Sequence, residues 1–295
     1  MKKVILLDGS GFLYRSYHAL PPLNDADGHN VNTIYGFFRM LLRLFHEKPD
    51  YFAIVWDSPG KTIRHEQFQD YKANRPKMPD EFKWQINMVS QLVDEIGIVN
   101  FRVPTYEADD IIYSLVNNFN DGETMILIES LDKDLKQLLD KNIYLSNNSK
   151  SEIVSKDLFV TEFGFEPVYM LDYLSLIGDA SDNIPGVKGI GKVTALDLIK
   201  KYSTIENIYN NIDEINGKVK ENLMISKDIA FKSKELVLLH TVPGIGDVKI
   251  SDLKFDFDFN KFEEILVEKY SFKSIGKSLI EVKKKYQCGD QLCLF

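Results

Sequence analysis

The sequence is short of cysteine, with only Cys288 and Cys293 in 295 residues. That excludes a disulfide framework. A cysteine pair with no histidine nearby is an incomplete zinc site, so both are read as free thiols. No apolar run approaches the roughly 20 residues that span a bilayer, and Met1-Lys2-Lys3 leads straight into a strand-like segment rather than a signal peptide. A cytoplasmic protein without membrane association is expected. Nor is there a basic excess: 36 Lys and Arg stand against 44 Asp and Glu, for a net charge of −8. This excludes a protein coated in positive charge, but not a nucleic-acid binder whose acids and bases are gathered in separate places. Long repeats and low-complexity linkers are also missing, so one large domain, or a domain with a substantial appendage, is expected.

What is present is an alternation. Short apolar runs of strand length occur at Val4-Ile5-Leu6-Leu7, Phe52-Ala53-Ile54-Val55-Trp56, Ile98-Val99-Asn100-Phe101, Met125-Ile126-Leu127-Ile128 and Ile143-Tyr144-Leu145. Amphipathic helical patterns over 34–45, 84–96 and 109–119 separate them. The expected fold class is α/β, a mostly parallel sheet flanked by helices, over residues 1–170. Beyond it the strand signals stop. Helical patterns over 168–177, 194–202, 222–239 and 262–270 predict a helical subdomain over 171–286, followed by a flexible tail over 287–295. One interval breaks the alternation: DSPGKTIRHEQFQDYKANRPKMPD, from Asp57 to Asp80, is polar, basic and interrupted by prolines. A loop of that length inside a compact domain is usually functional or disordered.

The acids fall where strands end. Asp8 closes the first strand run and Asp57 the second, while Asp132 and Asp134 follow the fourth. Glu107, Asp109 and Asp110, in YEADDII, lie between the third strand and the next helix; Asp179 and Asp182 lie in LIGDASDNIPG. In an open parallel sheet the carboxyl ends of the strands share one edge, so these side chains are expected to converge. Two charges about 4 Å apart repel by roughly 1 kcal/mol in water and about 4 kcal/mol at an effective dielectric of 20, so cations are the simplest remedy. Oxygen ligands without Cys or His select Mg²⁺ or Mn²⁺, and the surplus of carboxylates fits two or more ions. Taken singly, an Asp at a strand end is more often a cap or turn residue, an alternative that is strongest for Asp134. Asp109 and Asp110, as helix neighbours, point about 100° apart and could serve different ions.

A second pattern is IPGVKGIGKVTALDLIKKY, with Gly186, Gly189 and Gly191 ahead of a helix that begins at Thr194-Ala195. A glycine turn at a helix N-terminus offers backbone N–H groups to phosphate. It does not follow a strand, which excludes the dinucleotide-binding and Walker loops. A helix-hairpin-helix over about 178–200 that grips one duplex backbone without reading bases is expected, with Lys188, Lys192, Lys200 and Lys201 supplying charge.

The stretches LLDGSGFLYRSYHALPPL, VWDSPGKTIRHEQFQDYKANR, YEADD, DKDLKQLL and IGDASDNIPGVKGIG together resemble the 5′-nuclease (flap endonuclease) family, most closely the 5′ to 3′ exonuclease domain of bacterial DNA polymerase I and its free-standing relatives. The match covers nearly the whole chain in order. With no polymerase region following, a stand-alone nuclease or an isolated domain is expected. The resemblance implies a divalent-metal-dependent, structure-specific hydrolase that cuts DNA phosphodiesters at 5′ single-strand/duplex junctions, with hydroxide on a metal ion as the attacking group. Substrates would be 5′ flaps, nicks or overhangs and RNA primer 5′ ends, processed by a monomer near the nucleoid. Asp8, Asp57, Glu107 and Asp109 would surround one ion and Asp132, Asp134, Asp179 and Asp182 a second, with Asp110 nearby. Residues 58–82 become a helical arch, in which Lys72 approaches the scissile phosphate, Arg75 and Arg64 hold adjacent phosphates and Tyr71 stacks on a base. The hairpin would bind duplex through Gly186, Lys188, Gly189, Gly191, Lys192 and Thr194, with K⁺ on its carbonyls.

Two positions depart from the family pattern. Leu131 stands before DKDL where a small residue is usual, and Val193 replaces a proline of the common hairpin, which assigns the phosphate-facing lysine to Lys192. At the C-terminal end, Gln291, Leu292, Leu294 and Phe295 of QLCLF resemble the peptide by which bacterial replication proteins dock on the sliding clamp; packing back on the core is the alternative. The competing reading of the whole chain is a non-catalytic DNA-junction binder.

Overall fold

The computed structural model describes residues 2–146 and 153–287. The clamp-like residues Gln291, Leu292, Leu294 and Phe295 lie outside them. The strand runs become β1 (Lys3–Asp8), β2 (Tyr51–Val55), β3 (Asn100–Phe101), β4 (Met125–Glu129), β5 (Ile143–Ser146) and β6 (Ile153–Val154). They form one sheet in the order β3-β2-β1-β4-β5-β6, parallel except for the antiparallel β5–β6 pair. The third run shrinks to two paired residues, Asn100 beside Ile54 and Phe101 beside Val55.

Among the described residues thirteen α-helices accompany the sheet: α1 (Gly9–Ala19), α2 (Asn32–Phe45), α3 (Ile63–Gln67), α4 (Asp80–Ile96), α5 (Ala108–Phe119), α6 (Lys156–Phe163), α7 (Met170–Ile177), α8 (Lys192–Tyr202), α9 (Ile205–Asn210), α10 (Gly217–Ile225), α11 (Lys227–Val237), α12 (Phe259–Glu263) and α13 (Lys273–Gln287). Among the described residues none is long and apolar enough to cross a membrane. The predicted arch interval holds one short helix, α3, between turns, and the helix predicted over 222–239 is broken at Ser226 into α10 and α11.

Both faces of the sheet are covered, as the uninterrupted apolar strands require. Val4, Leu6, Ala53, Val55, Ile126 and Ile128 face α5 and the helices of the second half. Ile5, Leu7, Phe52, Ile54 and Leu127 face α2 and α4. This second layer also takes α12 and α13, which the sequence assigned to the helical subdomain. The Phe45 ring meets Phe255 and Phe257 at centroid distances of 4.8 and 4.6 Å, and Tyr286 Oη donates to the Phe45 carbonyl at 2.9 Å. Thus the chain after about residue 250 returns to the α/β core rather than extending the subdomain.

Candidate active site

The strand order turns at β1: β2 and β3 follow on one side, while β4, β5 and β6 lie on the other. Such a switch point opens a crevice at the carboxyl ends of the strands. Asp8 ends β1 in that crevice and caps α1 by accepting from Gly11 N–H at 3.1 Å; Ser130 Oγ donates to its other oxygen at 2.8 Å. Burial, and then the charge of Asp57, push the Asp8 carboxyl up to about 7. Asp57 follows β2; its N–H donates to Ser10 Oγ and its Oδ1 accepts from Ala108 N–H, both at 2.8 Å. That second bond ties the end of β2 to the start of α5.

Asp109 in the first turn of α5 is raised well above the usual carboxylate range by burial, then by Asp132, Asp8, Asp57 and Asp134. Asp132 is raised by burial and by Asp182 and Asp179; Asp134 by burial and, foremost among the charges, by Asp132. Acids from five separate segments therefore lie in one another's fields, as predicted. Asp134 also has a buried Oδ1 with no hydrogen-bond partner.

Asp179 and Asp182 ride on a closed loop between α7 and the hairpin. Asp179 and Ile184 exchange backbone hydrogen bonds at 2.9 and 2.8 Å. At its neck Gly178 and Gly186 have φ of 69° and 61° and cross so closely that a Cβ on Gly178 would meet Gly186 N at 2.7 Å, and one on Gly186 would meet Gly178 N at 2.4 Å. Only glycine permits both the dihedral and the approach. Gly186 is thereby buried, and its N–H donates to Ser233 Oγ at 3.1 Å. It serves the neck of the acid loop and has no N–H left to offer a phosphate, contrary to the sequence reading.

Cations stand among the acids. Lys72 Nζ donates to Glu107 Oε1 at 2.7 Å and lies 3.8 Å from Asp182 Oδ2. Arg75 Nη2 donates to Asp182 Oδ1 at 2.5 Å, and Lys133 Nζ reaches Asp179 Oδ2 at 2.6 Å. Burial opposes the charge on Glu107, but Lys72 and Arg64 hold its carboxyl below the usual range. Tyr71 is 3% exposed and its hydroxyl donates to Glu107 Oε2 at 3.0 Å and Asp182 Oδ2 at 3.2 Å. In this arrangement the ring orients two carboxylates and is not placed to stack on a base.

Arg64 and Asp110 depart from their predicted roles. Their side chains are 3% and 0% exposed and form a bidentate pair, with Nη1–Oδ2 at 2.7 Å and Nη2–Oδ1 at 2.8 Å. Arg64 also donates to the carbonyls of Leu236 and Leu238 at 2.8 and 2.9 Å, and Asp110 accepts from His240 N–H at 2.9 Å. The guanidinium has no face left for a phosphate, and the carboxylate none for an ion. The pair clamps α3 and α5 to the end of α11.

Asp8, Asp57, Glu107, Asp109, Asp132, Asp134, Asp179 and Asp182 remain as an oxygen-only donor set. Its orphaned Asp134 oxygen and its upward-shifted acids fit hard divalent cations. Among the described residues, no three of these acids bring ligand atoms within 4.8 Å of one another; Asp25, Asp27 and His29, on a surface loop, do so. The pocket acids thus form a wide ring, which suits ions that keep several waters. Sequence reasoning missed Ser10, Ser130 and Lys133. Their signal is spacing: a hydroxyl two residues from a pocket acid in Asp8-x-Ser10 and Ser130-x-Asp132, and a lysine between two acids in Asp132-Lys133-Asp134.

The hairpin presents Lys188, Gly189, Gly191 and Lys192 to solvent at the N-terminus of α8, with Thr194 half-buried and Ile190 anchoring the turn at 4% exposure. Val193 is 75% exposed on the same surface, and Leu131 is 41% exposed beside Asp132.

Two family models match in succession: 5′-3′ exonuclease, N-terminal resolvase-like domain, over residues 3–164, and 5′-3′ exonuclease, C-terminal SAM fold, over residues 165–258. The chain is 39% identical over 297 residues to a 5′-3′ exonuclease of Aquifex aeolicus, covering 100% of both. It is 40% identical over 285 residues to DNA polymerase I of Caldicellulosiruptor bescii, covering 94% of this chain and 33% of that relative. Among solved structures, a bacteriophage T5 D15 flap endonuclease complex with DNA and metal ions superposes with a TM-score of 0.68 at 17% identity, covering 97% of this chain and 100% of the other. At that identity the likeness establishes the shared fold.

Proposed function

Because the chain belongs to the 5′-3′ exonuclease family, we propose that it is a structure-specific 5′ nuclease that hydrolyses DNA phosphodiesters where a 5′ single strand meets duplex. The observation that carries this reading is the gathering of Asp8, Asp57, Asp109, Asp132 and Asp134 at one sheet edge with Lys72 among them. Mg²⁺ or Mn²⁺, two ions or more, would be held by Asp8, Asp57, Glu107 and Asp109 on one side and by Asp132, Asp134, Asp179 and Asp182 on the other. Bound there, the ions supply charge stabilisation for a phosphodiester transition state and a more acidic water.

The chain's own residues do the rest. Lys72 and Arg75 bring cationic donors to the pocket, where an anionic transition state gains most from fixed charge. Tyr71, Ser10 and Ser130 hold the carboxylates or their backbone in place. Lys188, Lys192 and the backbone at Gly189 and Gly191 receive the duplex backbone, with Thr194 beside them and K⁺ on the hairpin carbonyls. The biological setting is removal of RNA primers and 5′ flaps in the cytoplasm by a monomer, with QLCLF as a tether to the sliding clamp. Deleting residues 291–295 is expected to abolish clamp binding and leave flap cleavage intact. For the enzyme itself, a 5′-flap substrate with Mg²⁺ is cut by wild type and not by Asp179→Asn. Wild type that binds the flap and never cuts it would make the protein a junction binder instead.

A further inference from the structure

The segment 70–75, which carries Lys72, is fastened to the loop that carries Asp179 and Asp182 by bonds from both sides. Lys72 N–H donates to the Asp182 carbonyl at 3.0 Å. Asn74 Nδ2 donates to the Ala180 carbonyl at 2.6 Å, and Asn183 Nδ2 donates back to the Asp70 carbonyl at 2.7 Å. The two backbones meet in unusual conformations: Lys72 has φ of 55° and Asn183 φ of 57°, in the left-handed region that asparagine tolerates and lysine seldom enters. A strained lysine backbone persists only where its surroundings over-determine it. Here the surroundings are the two amide side chains together with Tyr71 and Arg75, which bond the Asp182 carboxylate, Arg75 also reaching the Ser181 carbonyl at 3.4 Å. Among the described residues neither amide hydrogen-bonds an acid side chain of the pocket; both act on main chain.

We propose that Asn74 and Asn183 are positioning residues: they lock the 70–75 segment to the 179–183 loop and so fix where the Lys72 ammonium stands relative to the acid pocket. The lock deepens the nuclease reading, on which it rests. It makes one unit of two segments that meet only in the folded chain, one bearing the cation and the other two carboxylates. A displacement of about 1 Å at such a group costs as much as about 100-fold in rate, so two amides that bond only main chain govern the rate through Lys72.

Two measurements test this. Asn183→Gly keeps the left-handed backbone accessible while deleting the amide, and Asn74→Ala deletes the other. Hydrogen exchange at the Lys72 amide is expected to quicken at least about tenfold in the double variant, and unchanged protection overturns the lock whether or not the protein cuts DNA. In single-turnover cleavage of a 5′ flap, Asn183→Gly is expected to slow the cut about tenfold with flap binding in Ca²⁺ unchanged, and to slow it no further in a Lys72→Ala background. An equal loss in both backgrounds shows that Asn183 does not act through Lys72 and refutes the inference. A wild type that fails to cut refutes the nuclease reading alone, since the exchange experiment still decides the lock.

Discussion

Lys72 Nζ and Glu107 Oε1, separated by 35 residues in the chain, are held 2.7 Å apart at the mouth of the acid pocket. Burial disfavours the ammonium, yet Glu107, Asp182 and Asp57 more than offset that and keep it protonated. The same nitrogen lies 4.9 Å from the Tyr71 ring centroid. A cation held by carboxylates and an aromatic face is pre-organised and needs little rearrangement to meet a developing anion.

Replacing Lys72 by Met is therefore expected to lower the single-turnover rate of flap cleavage by about 10²- to 10³-fold, the scale of one lost transition-state donor. Flap binding in Ca²⁺ is expected to change far less, because the proposed duplex contacts of the hairpin are untouched. A Lys72→Met protein that cuts at the wild-type rate removes Lys72 from the mechanism.

Arg64 and Asp110 give a stability prediction instead. Removing one partner of a buried, hydrogen-bonded ion pair strands the other charge, at about 3–5 kcal/mol. Arg64→Met and Asp110→Ala are each expected to lower the free energy of urea unfolding by that amount. Arg64→Lys is not expected to recover it, because an ammonium cannot reproduce a bidentate fork that also reaches two carbonyls. If Asp110→Asn instead weakened metal binding with unfolding unchanged, Asp110 would be a ligand after all.

This pair also marks what the sequence could and could not tell. Strand runs and acids at their ends are local signals, and Asp8, Asp57 and Asp132 were found where periodicity and composition put them. Helix ends moved by a few residues, α2 starting at Asn32 and α8 at Lys192. Arg64 reads as a phosphate-holding arginine of a basic loop because nothing in its neighbourhood reveals a carboxylate 46 residues away. Gly186 reads as a phosphate turn for a similar reason: its partner in the neck, Gly178, is visible only once the chain has closed. The return of α12 and α13 to the core depends on a phenylalanine cluster assembled from both ends of the chain. Its helical periodicity says which face is apolar, not what it will meet.

The glycine neck yields a third expectation. Gly178→Ala and Gly186→Ala each place a methyl group against backbone at 2.4 Å and demand a left-handed alanine. The strain is worth about 1–3 kcal/mol, and its relief must open the loop that carries Asp179 and Asp182. Mg²⁺ affinity, measured by calorimetry, is expected to fall in both variants along with cleavage. Normal affinity and activity in either variant would mean that the acid loop does not need its closed neck.

The last expectation concerns pH. Asp8 titrates near 7 in the folded chain against an ordinary value of 3.8, with burial the main cause. Between those values the folded state holds a proton that the unfolded state has released, so this group's contribution to stability declines as pH rises through the window. Asp109, Asp132 and Asp134 shift in the same direction. Glu107 and Asp179 shift the other way, and their contribution is present above the ordinary carboxylate range and lost in acid. In a chelating buffer the melting temperature is thus expected to peak in mild acid and fall towards pH 8, as the pocket acids ionise against one another. Divalent ions bind the ionised form, so the rise in melting temperature on adding Mg²⁺ should be larger at pH 8 than at pH 6. Asp8→Asn, which is neutral throughout, should flatten the decline in chelator and blunt the Mg²⁺ effect. A chelated wild type whose melting temperature climbs steadily from pH 5 to 8 would show that the acids are not crowded enough to repel, and the case for metal ions in the crevice would fail with it.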